Sequence, residues 1–194
     1  MKSLFFKRLG AYLFDFFIVV LIISVITMGF KRDTKIFNRM EYLLTDVSNG
    51  KISIEEYTDE LFELNYGYQK SMIPNSIVSV IVNIGYFIIF AYLNKGQTIG
   101  KKIFGIRVVN KEDKKPSLLN MIGRSIPLYG ILTGIINIFG VLMLSVKGFN
   151  YTSTFVNYGY YFFVIVCFFM VMYKKDNRGL HDIIGSTYVK EKVK

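Results

Sequence analysis

One acidic residue stands out because it lies inside a long apolar run near the amino terminus. Asp15 is the only charged residue in the run from Leu9 to Phe30, and a carboxylate at that depth in a membrane must be protonated, hydrated or paired. Arg8 lies on the same helical face, about 10 Å away along the axis. Arg124, near the start of a later apolar run, is a second candidate cation. Such a group fits a structural clamp, a proton, ion or substrate site, or a pairing completed by another chain.

A second group of polar residues follows the last apolar run. Arg178, His181 and Asp182 lie within five positions of one another. His181 is the sole histidine and Cys167 the sole cysteine, so neither a metal-binding set nor a Ser-His-Asp order is recognisable. An interfacial hydrogen bond is one interpretation of His181, and a proton relay is the other. We expect no enzymatic activity, no cofactor and no metal.

The loop between the second and third apolar runs carries a glycine-rich motif. Its candidate functional residues are Thr98, Gly100, Lys101 and Gly105. The start of the motif resembles part of a phosphate-binding loop, but Lys102 stands where that loop needs a hydroxyl residue. Nucleotide binding is therefore not predicted. The two lysines are instead placed to meet anionic lipid headgroups.

The elements that must position these residues are apolar helices. The chain has 194 residues, is 52% hydrophobic and has a mean hydropathy of +0.37. This composition excludes a disordered chain, a soluble α/β enzyme and a disulfide-rich secreted domain. Runs of about 20 apolar residues cross a bilayer as helices. We predict four spans, at about 9–30, 75–93, 119–146 and 156–173.

The positions of lysine and arginine orient these spans. One side of the predicted membrane carries 16 of them and the other side seven. Because the more basic side is usually cytoplasmic, both termini are predicted to be cytoplasmic. Basic cytoplasmic loops also account for the net charge of +10, so nucleic-acid binding is not expected.

The segment from about residue 31 to 71 is then external. Helical spacing in two pieces, with a capping box at Ser53 and Glu56, predicts a helical hairpin that is either a solvated cap or a docking surface. On the cytoplasmic side, residues 106–109 and 185–190 predict a small strand pair. The predicted fold is therefore all-α: a polytopic four-helix transmembrane bundle with an external helical hairpin and a small cytoplasmic strand pair.

A small-xxx-small motif lies in the third span. Gly130 and Gly134 allow another helix to approach closely. Packing within the chain is the simpler interpretation, and an interface between copies of the chain is the alternative.

Three stretches, taken together and in order, resemble the RDD family of bacterial membrane proteins, named for one arginine and two aspartates. They are Arg8-Leu-Gly-Ala-Tyr-Leu-Phe-Asp15, the block from Gly96 to Val109, and the block from Arg178 to Thr187. The resemblance covers nearly all of residues 1–194, as a single domain, except the insertion at 31–71.

This resemblance implies several properties of the chain. The arginine and aspartates of the family name correspond to Arg8, Asp15 and Asp182, and the protein is expected in a bacterial cell membrane as a multi-pass protein. The family is associated with transport of unidentified ligands, and sodium/proton antiport is attributed to some members.

Two functions are therefore expected. The first is transport, or help in transport, of a small ion or solute, including cation/proton exchange at a pair of Asp15 with Arg8 or Arg124. The alternative is a non-transporting adaptor, immunity or assembly factor that binds another membrane protein. Expected partners are the lipid bilayer and either a second copy of the chain or another membrane protein.

Overall fold

The computed structural model describes residues 2–30 and 34–191, and most of them are helical. In chain order the elements are α1 Lys2–Thr27, α2 Thr34–Ser48, α3 Ile54–Ser71, α4 Ile73–Ile84, a π-helical segment Gly85–Phe90, α5 Ala91–Leu93, α6 Ile99–Ile103, β1 Ile106–Asn110, α7 Leu118–Leu128, α8 Ile131–Met143, α9 Val146–Tyr173, α10 Leu180–Ile184 and β2 Thr187–Glu191. The predicted mostly helical fold is confirmed.

Three helical segments in the described part of the chain are long and apolar enough to cross a membrane. They are Leu4–Thr27, Ile73–Leu93 and Val146–Tyr173. Large apolar side chains such as Phe16 and Phe162 are 57% and 70% exposed on the surface of the bundle. Such a surface suits acyl chains and not water. The protein is a membrane protein.

The third predicted span is broken, which corrects the expectation of one continuous helix over 119–146. Helices α7 and α8 meet at an angle of 64°. Pro127, in the last turn of α7, has no N–H to donate to the preceding turn. Gly130 then takes a left-handed φ of 68°, a conformation that glycine adopts without strain. Together these two residues end one helix and start the next in a new direction.

The fourth helix begins ten residues earlier than the predicted start at residue 156. Helix α9 starts at Val146, directly after Ser145, whose Oγ accepts a hydrogen bond from the Gly148 N–H at 3.3 Å. Its 28 residues reach about 42 Å, which exceeds the hydrocarbon thickness. The first turns of α9 therefore extend beyond the apolar layer toward α3.

Helices α2 and α3 form the predicted hairpin. The capping box is present, since Ser53 Oγ accepts from the Glu56 N–H and the Glu56 side chain accepts from the Ser53 N–H. Arg39 joins the two helices through two hydrogen bonds to Glu60, at 2.6 and 2.9 Å. Helix α3 also docks on the bundle, where Tyr66 donates to the Val141 carbonyl at 2.9 Å.

The predicted strand pair is confirmed. Strands β1 and β2 are antiparallel, with Val108 opposite Val189. Both valines are buried, and they belong to an apolar cluster that includes Ala11 and Met121 from α1 and α7. A two-stranded ribbon is marginal by itself, so these helices supply the apolar support that it needs.

The bundle thus has two different ends. We call one the charged end; it contains the first turns of α1, helix α6, the strand pair, the start of α7 and helix α10. We call the other the hairpin end; it contains α2, α3 and the first turns of α9.

Candidate functional site

Asp182, at the charged end, is bound by two arginines from different helices. Arg8 Nη2 donates to Asp182 Oδ2 at 2.6 Å, and Arg124 Nη1 donates to Asp182 Oδ1. The Gly179 N–H donates to Oδ2 at 3.0 Å. All three charged side chains are at most 8% exposed. Because each buried charge needs the others, this cluster joins α1, α7 and α10.

Glycines allow α10 to lie close enough to the bundle for this contact. A Cβ at Gly179 would lie 2.7 Å from His181 Cε1, and one at Gly185 would lie 2.7 Å from the Asn120 carbonyl oxygen. Asn120, on α7, donates its side-chain N–H to the Gly185 carbonyl at 2.8 Å. A side chain at Gly185 would therefore force α10 away from α7, the helix that carries Arg124.

His181 lies beside the same cluster. Its Nε2 is 3.3 Å from Arg8 Nη2, and its Nδ1 is buried without a hydrogen-bond partner in the described part of the chain. Burial holds the pKa of His181 well below 6.5, and the charge of Arg124 lowers it further. The imidazole is therefore neutral at physiological pH, and its contact with Asp182 is not an ion pair.

Arg178 holds the carboxyl-terminal segment together. Its Nε donates to the Thr187 carbonyl at 3.1 Å, and its Nη2 donates to the Asp182 carbonyl at 3.3 Å. The guanidinium also lies 4.2 Å from the centre of the Tyr188 ring. Arg178 thus connects α10 to β2. It binds the backbone carbonyl of Asp182, whereas Arg8 and Arg124 bind the carboxylate.

Asp15 occupies a second buried site, between α1 and α6. Its Oδ1 accepts from the Tyr86 hydroxyl at 2.6 Å and from the Gly100 N–H at 2.8 Å. Its Oδ2 accepts from the Thr98 hydroxyl at 2.5 Å. Lys101 Nζ is 3.9 Å away. The carboxylate is 1% exposed, so these donors replace the water that it loses on burial.

The predicted pairing of Asp15 with Arg8 or Arg124 is therefore wrong. Both arginines bind Asp182, which the sequence places almost 60 residues beyond Arg124. The physical reason is that the loop carrying α6 folds back against α1. It places a hydroxyl and a backbone N–H in hydrogen-bond contact with the carboxylate and an ammonium 3.9 Å from it, while both arginines bind Asp182.

The glycine-rich motif thus serves as the partner of Asp15. A Cβ at Gly100 would lie 2.8 Å from Asp15 Oδ1 and would also strike the Ala11 carbonyl, so only glycine fits there. Gly105 takes a φ of 66° in the turn that leads into β1.

Lys101 is buried, which corrects the expectation that it meets lipid headgroups, whereas Lys102 is exposed.

Three aromatic residues of the site were missed in the sequence. Tyr86 lies in the π-helical segment, a geometry often found at functional sites. The Tyr129 ring stacks on Phe87 with the ring centres 3.5 Å apart, and the Tyr12 ring stacks on Tyr129 at 6.0 Å. A tyrosine in an apolar span carries no periodic signal that separates such a role from ordinary packing.

The two glycines of the small-xxx-small motif have different roles. A Cβ at Gly134 would lie 2.8 Å from Val80 Cγ2, so this glycine allows α8 to approach α4 within the chain. Gly130 forms the bend between α7 and α8 and does not lie at a helix contact of this kind.

A cavity of about 140 Å³ lies inside the charged end. Its polar lining includes Arg8, Lys101, Arg124 and His181, and its apolar wall includes Phe168 of α9. We call it the inner cavity.

A second cavity, of about 400 Å³, continues toward the hairpin end. We call it the outer cavity. Its polar lining includes neutral side chains from three helices, α4, α8 and α9: Ser76, Ser79, Asn83, Thr133, Asn137, Asn157 and Tyr160. Asn137 Oδ1 is buried and has no hydrogen-bond partner in residues 2–30 and 34–191.

The two cavities meet at the stacked tyrosines. Tyr12 and Tyr129 line both of them. Along α1 the inner cavity touches residues 5–12 and the outer cavity residues 12–23. Along α9 the order is reversed, with 157–161 at the outer cavity and 164–171 at the inner one. The cavities are therefore stacked along the bundle axis, with the tyrosine rings between them.

The described residues contain no group of three or more His, Cys, Asp or Glu side chains that could hold a metal ion. The polar sites consist instead of carboxylate–cation clusters and neutral hydrogen-bonding groups.

Comparison with known proteins places the chain among membrane proteins of one family. It is 26% identical over 141 residues to "Uncharacterized protein YxaI" of Bacillus subtilis (strain 168). The aligned region covers 72% of this chain and 73% of that protein. It is 32% identical over 118 residues to "Uncharacterized protein YckC" of the same organism, covering 60% of this chain and 62% of that protein. No solved structure matches. The sequence model of the RDD family matches residues 3–186, and the chain therefore belongs to the RDD family.

Proposed function

We propose that this protein moves, or helps to move, a small solute across a bacterial cell membrane, through the inner and outer cavities. The observation that carries the proposal is their stacking along the bundle axis, with Tyr12 and Tyr129 at the junction. A chain that served only as a scaffold has no need of two cavities aligned in this way. The ring stack is then a partition that must move for solute to pass.

The charged end faces the cytoplasm in this proposal. The basic residues are concentrated there, as the positive-inside rule requires, and both termini are then cytoplasmic. The inner cavity then lies on the cytoplasmic side of the bundle and the outer cavity on the hairpin side. The protein spans the membrane several times, with α7 and α8 together acting as one bent span.

The two carboxylates position the walls of the inner cavity. Asp15 fixes α6 against α1, and Asp182 fixes α10 against α1 and α7. Lys101, not an arginine, is the cation beside Asp15, so any proton exchange at Asp15 involves Lys101. The cation/proton exchange inferred from the sequence stays a prediction. Measuring sodium, potassium and proton flux in liposomes tests it.

The test is a flux assay on purified protein in liposomes, with sodium, potassium, protons and a set of small anions. We expect the wild-type protein to move at least one solute faster than protein-free liposomes. Tyr129→Ala removes one of the two rings that line both cavities and should change that flux several-fold. Tyr129→Phe keeps this ring and should retain wild-type flux.

A matched control is available on α9. Tyr158 is 71% exposed on the bundle surface, so Tyr158→Ala should leave flux unchanged. Flux no faster than in protein-free liposomes for every solute, or an unchanged flux in Tyr129→Ala, would contradict transport along this route.

A second candidate function is that of an adaptor for another membrane protein. The observation in its favour is a set of exposed apolar side chains on the hairpin, with Tyr42, Leu44 and Ile54 at 64%, 62% and 77% exposure. The double variant Tyr42→Ser, Leu44→Ser distinguishes the two functions. An adaptor loses its co-purifying partner on this change, whereas a transporter keeps its flux.

A further inference from the structure

The inner cavity has an unusual charge balance. Arg8, Lys101 and Arg124 line it, and its described lining contains no aspartate or glutamate. The two nearby carboxylates, Asp15 and Asp182, lie behind these cations and are engaged with them. Three cations against two carboxylates leave one positive charge without a partner when Lys101 is protonated.

Lys101 is the least satisfied of the three cations. Its ammonium donates to the Thr98 hydroxyl at 3.2 Å and is 3.9 Å from Asp15, too far for a hydrogen bond. The Asp15 oxygens already accept from closer neutral donors, including Tyr86 at 2.6 Å. Burial lowers the pKa of Lys101 to about 7. The charge of Asp15 opposes this shift, and the charges of Arg124 and Arg8 add to it.

The size of the cavity limits what could supply the missing negative charge. Its volume is about 140 Å³, while a water molecule occupies about 30 Å³ in the liquid. A small inorganic or carboxylate anion of a few atoms fits this space. The apolar wall beside the cations lowers the local dielectric, which strengthens the attraction for a desolvated anion.

We propose that the inner cavity binds a small anion, such as chloride, nitrate, formate or phosphate, beside Lys101, Arg8 and Arg124. This inference rests on the proposed function, because it assigns the transported solute to the class of small anions. A bound anion balances the cluster and favours the protonated form of Lys101.

Thermal unfolding of the purified protein in detergent tests the binding. Sodium salts of these anions are titrated at constant total sodium, with the larger anion gluconate as the balancing anion. We expect a saturable rise in Tm with at least one small anion, of about 3–6 °C at ten times its dissociation constant. A Tm that does not depend on the anion, or that follows sodium, would overturn the proposal.

Two matched variants separate the site from general salt effects. Lys101→Gln should abolish the saturable rise, whereas Lys102→Gln, which changes an exposed lysine next to it, should retain the rise. Val164→Phe leaves every charge in place and fills part of the cavity, so it should also abolish the rise even if Lys101→Gln does not fold. Equal anion responses in wild type and Val164→Phe would place the binding elsewhere and refute the proposal.

Lipid phosphate has the same chemistry as a free anion, so phosphatidylglycerol is tested in parallel. If phosphatidylglycerol alone raises Tm in a Lys101-dependent way, the ligand is a lipid headgroup and the assignment to a free anion is wrong.

Anion binding without any flux supports the site and contradicts transport. Flux of cations alone contradicts the anion as the solute while leaving transport intact.

Discussion

At the scale of single residues, the strongest constraint is the sharing of Asp182 by Arg8 and Arg124. A buried ion cluster of this kind is not by itself a source of stability, because desolvation opposes the attraction. Removing one partner, however, leaves the others buried without compensation. The cluster therefore holds α1, α7 and α10 in one arrangement, in which each buried charge depends on the others.

We predict that Asp182→Asn lowers the free energy of unfolding by about 3–5 kcal/mol, because two buried guanidinium groups lose their counter-charge. The measurement is thermal or denaturant unfolding in detergent. Glu191→Gln is the control, since Glu191 pairs with Lys7 at 2.6 Å on the exposed surface and such pairs contribute about 1 kcal/mol or less. Equal losses of unfolding free energy in the two variants would argue against this mutual dependence of the buried charges.

The sequence identified the members of the charge clusters but not their pairing. Arg8, Asp15 and Arg124 were recognisable because an ionisable group in or beside an apolar run is expensive, and Asp182 was identified from the family resemblance. Which cation meets which carboxylate depends on contacts between residues up to 174 positions apart, and one sequence carries no record of them.

At the scale of secondary-structure elements, helix packing depends on a few glycines. Gly134 lies where α8 meets α4. Gly159 lies on α9, and apart from the adjacent backbone of its own helix no atom of the described residues lies within 4 Å of the position of a Cβ. The two sites have the same residue type in the same kind of helix. They therefore allow one substitution to be compared in two environments.

We predict that Gly134→Ala destabilises the protein by about 1–3 kcal/mol, because the new methyl group forces α8 away from Val80. Gly159→Ala should be neutral or stabilising by up to about 1 kcal/mol, since alanine is the better helix former and nothing opposes it. Unfolding of both variants in the same detergent makes the comparison. A larger loss in Gly159→Ala would mean that the α4–α8 contact is misplaced.

The boundaries of the elements were predicted unevenly. The capping box at Ser53 and the strand pair were predicted correctly, because hydrogen-bonding side chains and alternating patterns are local signals. The break at Gly130 was missed, because both halves of the span remain apolar and hydropathy does not report direction. A proline three residues before a glycine was the available signal.

At the scale of the whole molecule, the two ends of the bundle differ in chemistry. The charged end holds the buried cations and the inner cavity, while the neutral outer cavity adjoins the hairpin end. This asymmetry fits a protein with a fixed orientation in the membrane.

We predict that the hairpin end faces the outside of the cell. In a Cys167→Ser background, a membrane-impermeant thiol reagent should label Glu55→Cys on α3 in intact cells. It should label Lys111→Cys, after β1, only once the membrane is opened, because Glu55 and Lys111 are both exposed on the protein surface but at opposite ends. The reverse labelling pattern would invert the topology and the assignment of the two cavities.

The sequence by itself determined the membrane character, the helical class, the family resemblance and the residues that carry buried charge. These follow from local composition, from the dehydration cost of charges in hydrocarbon and from short motifs. Only the tertiary structure decided that Lys101 accompanies Asp15, that both arginines meet at Asp182, and that stacked tyrosines divide two cavities. Such features arise where distant segments pack together, and pairing there is settled by which donors the folded backbone brings within reach of each carboxylate.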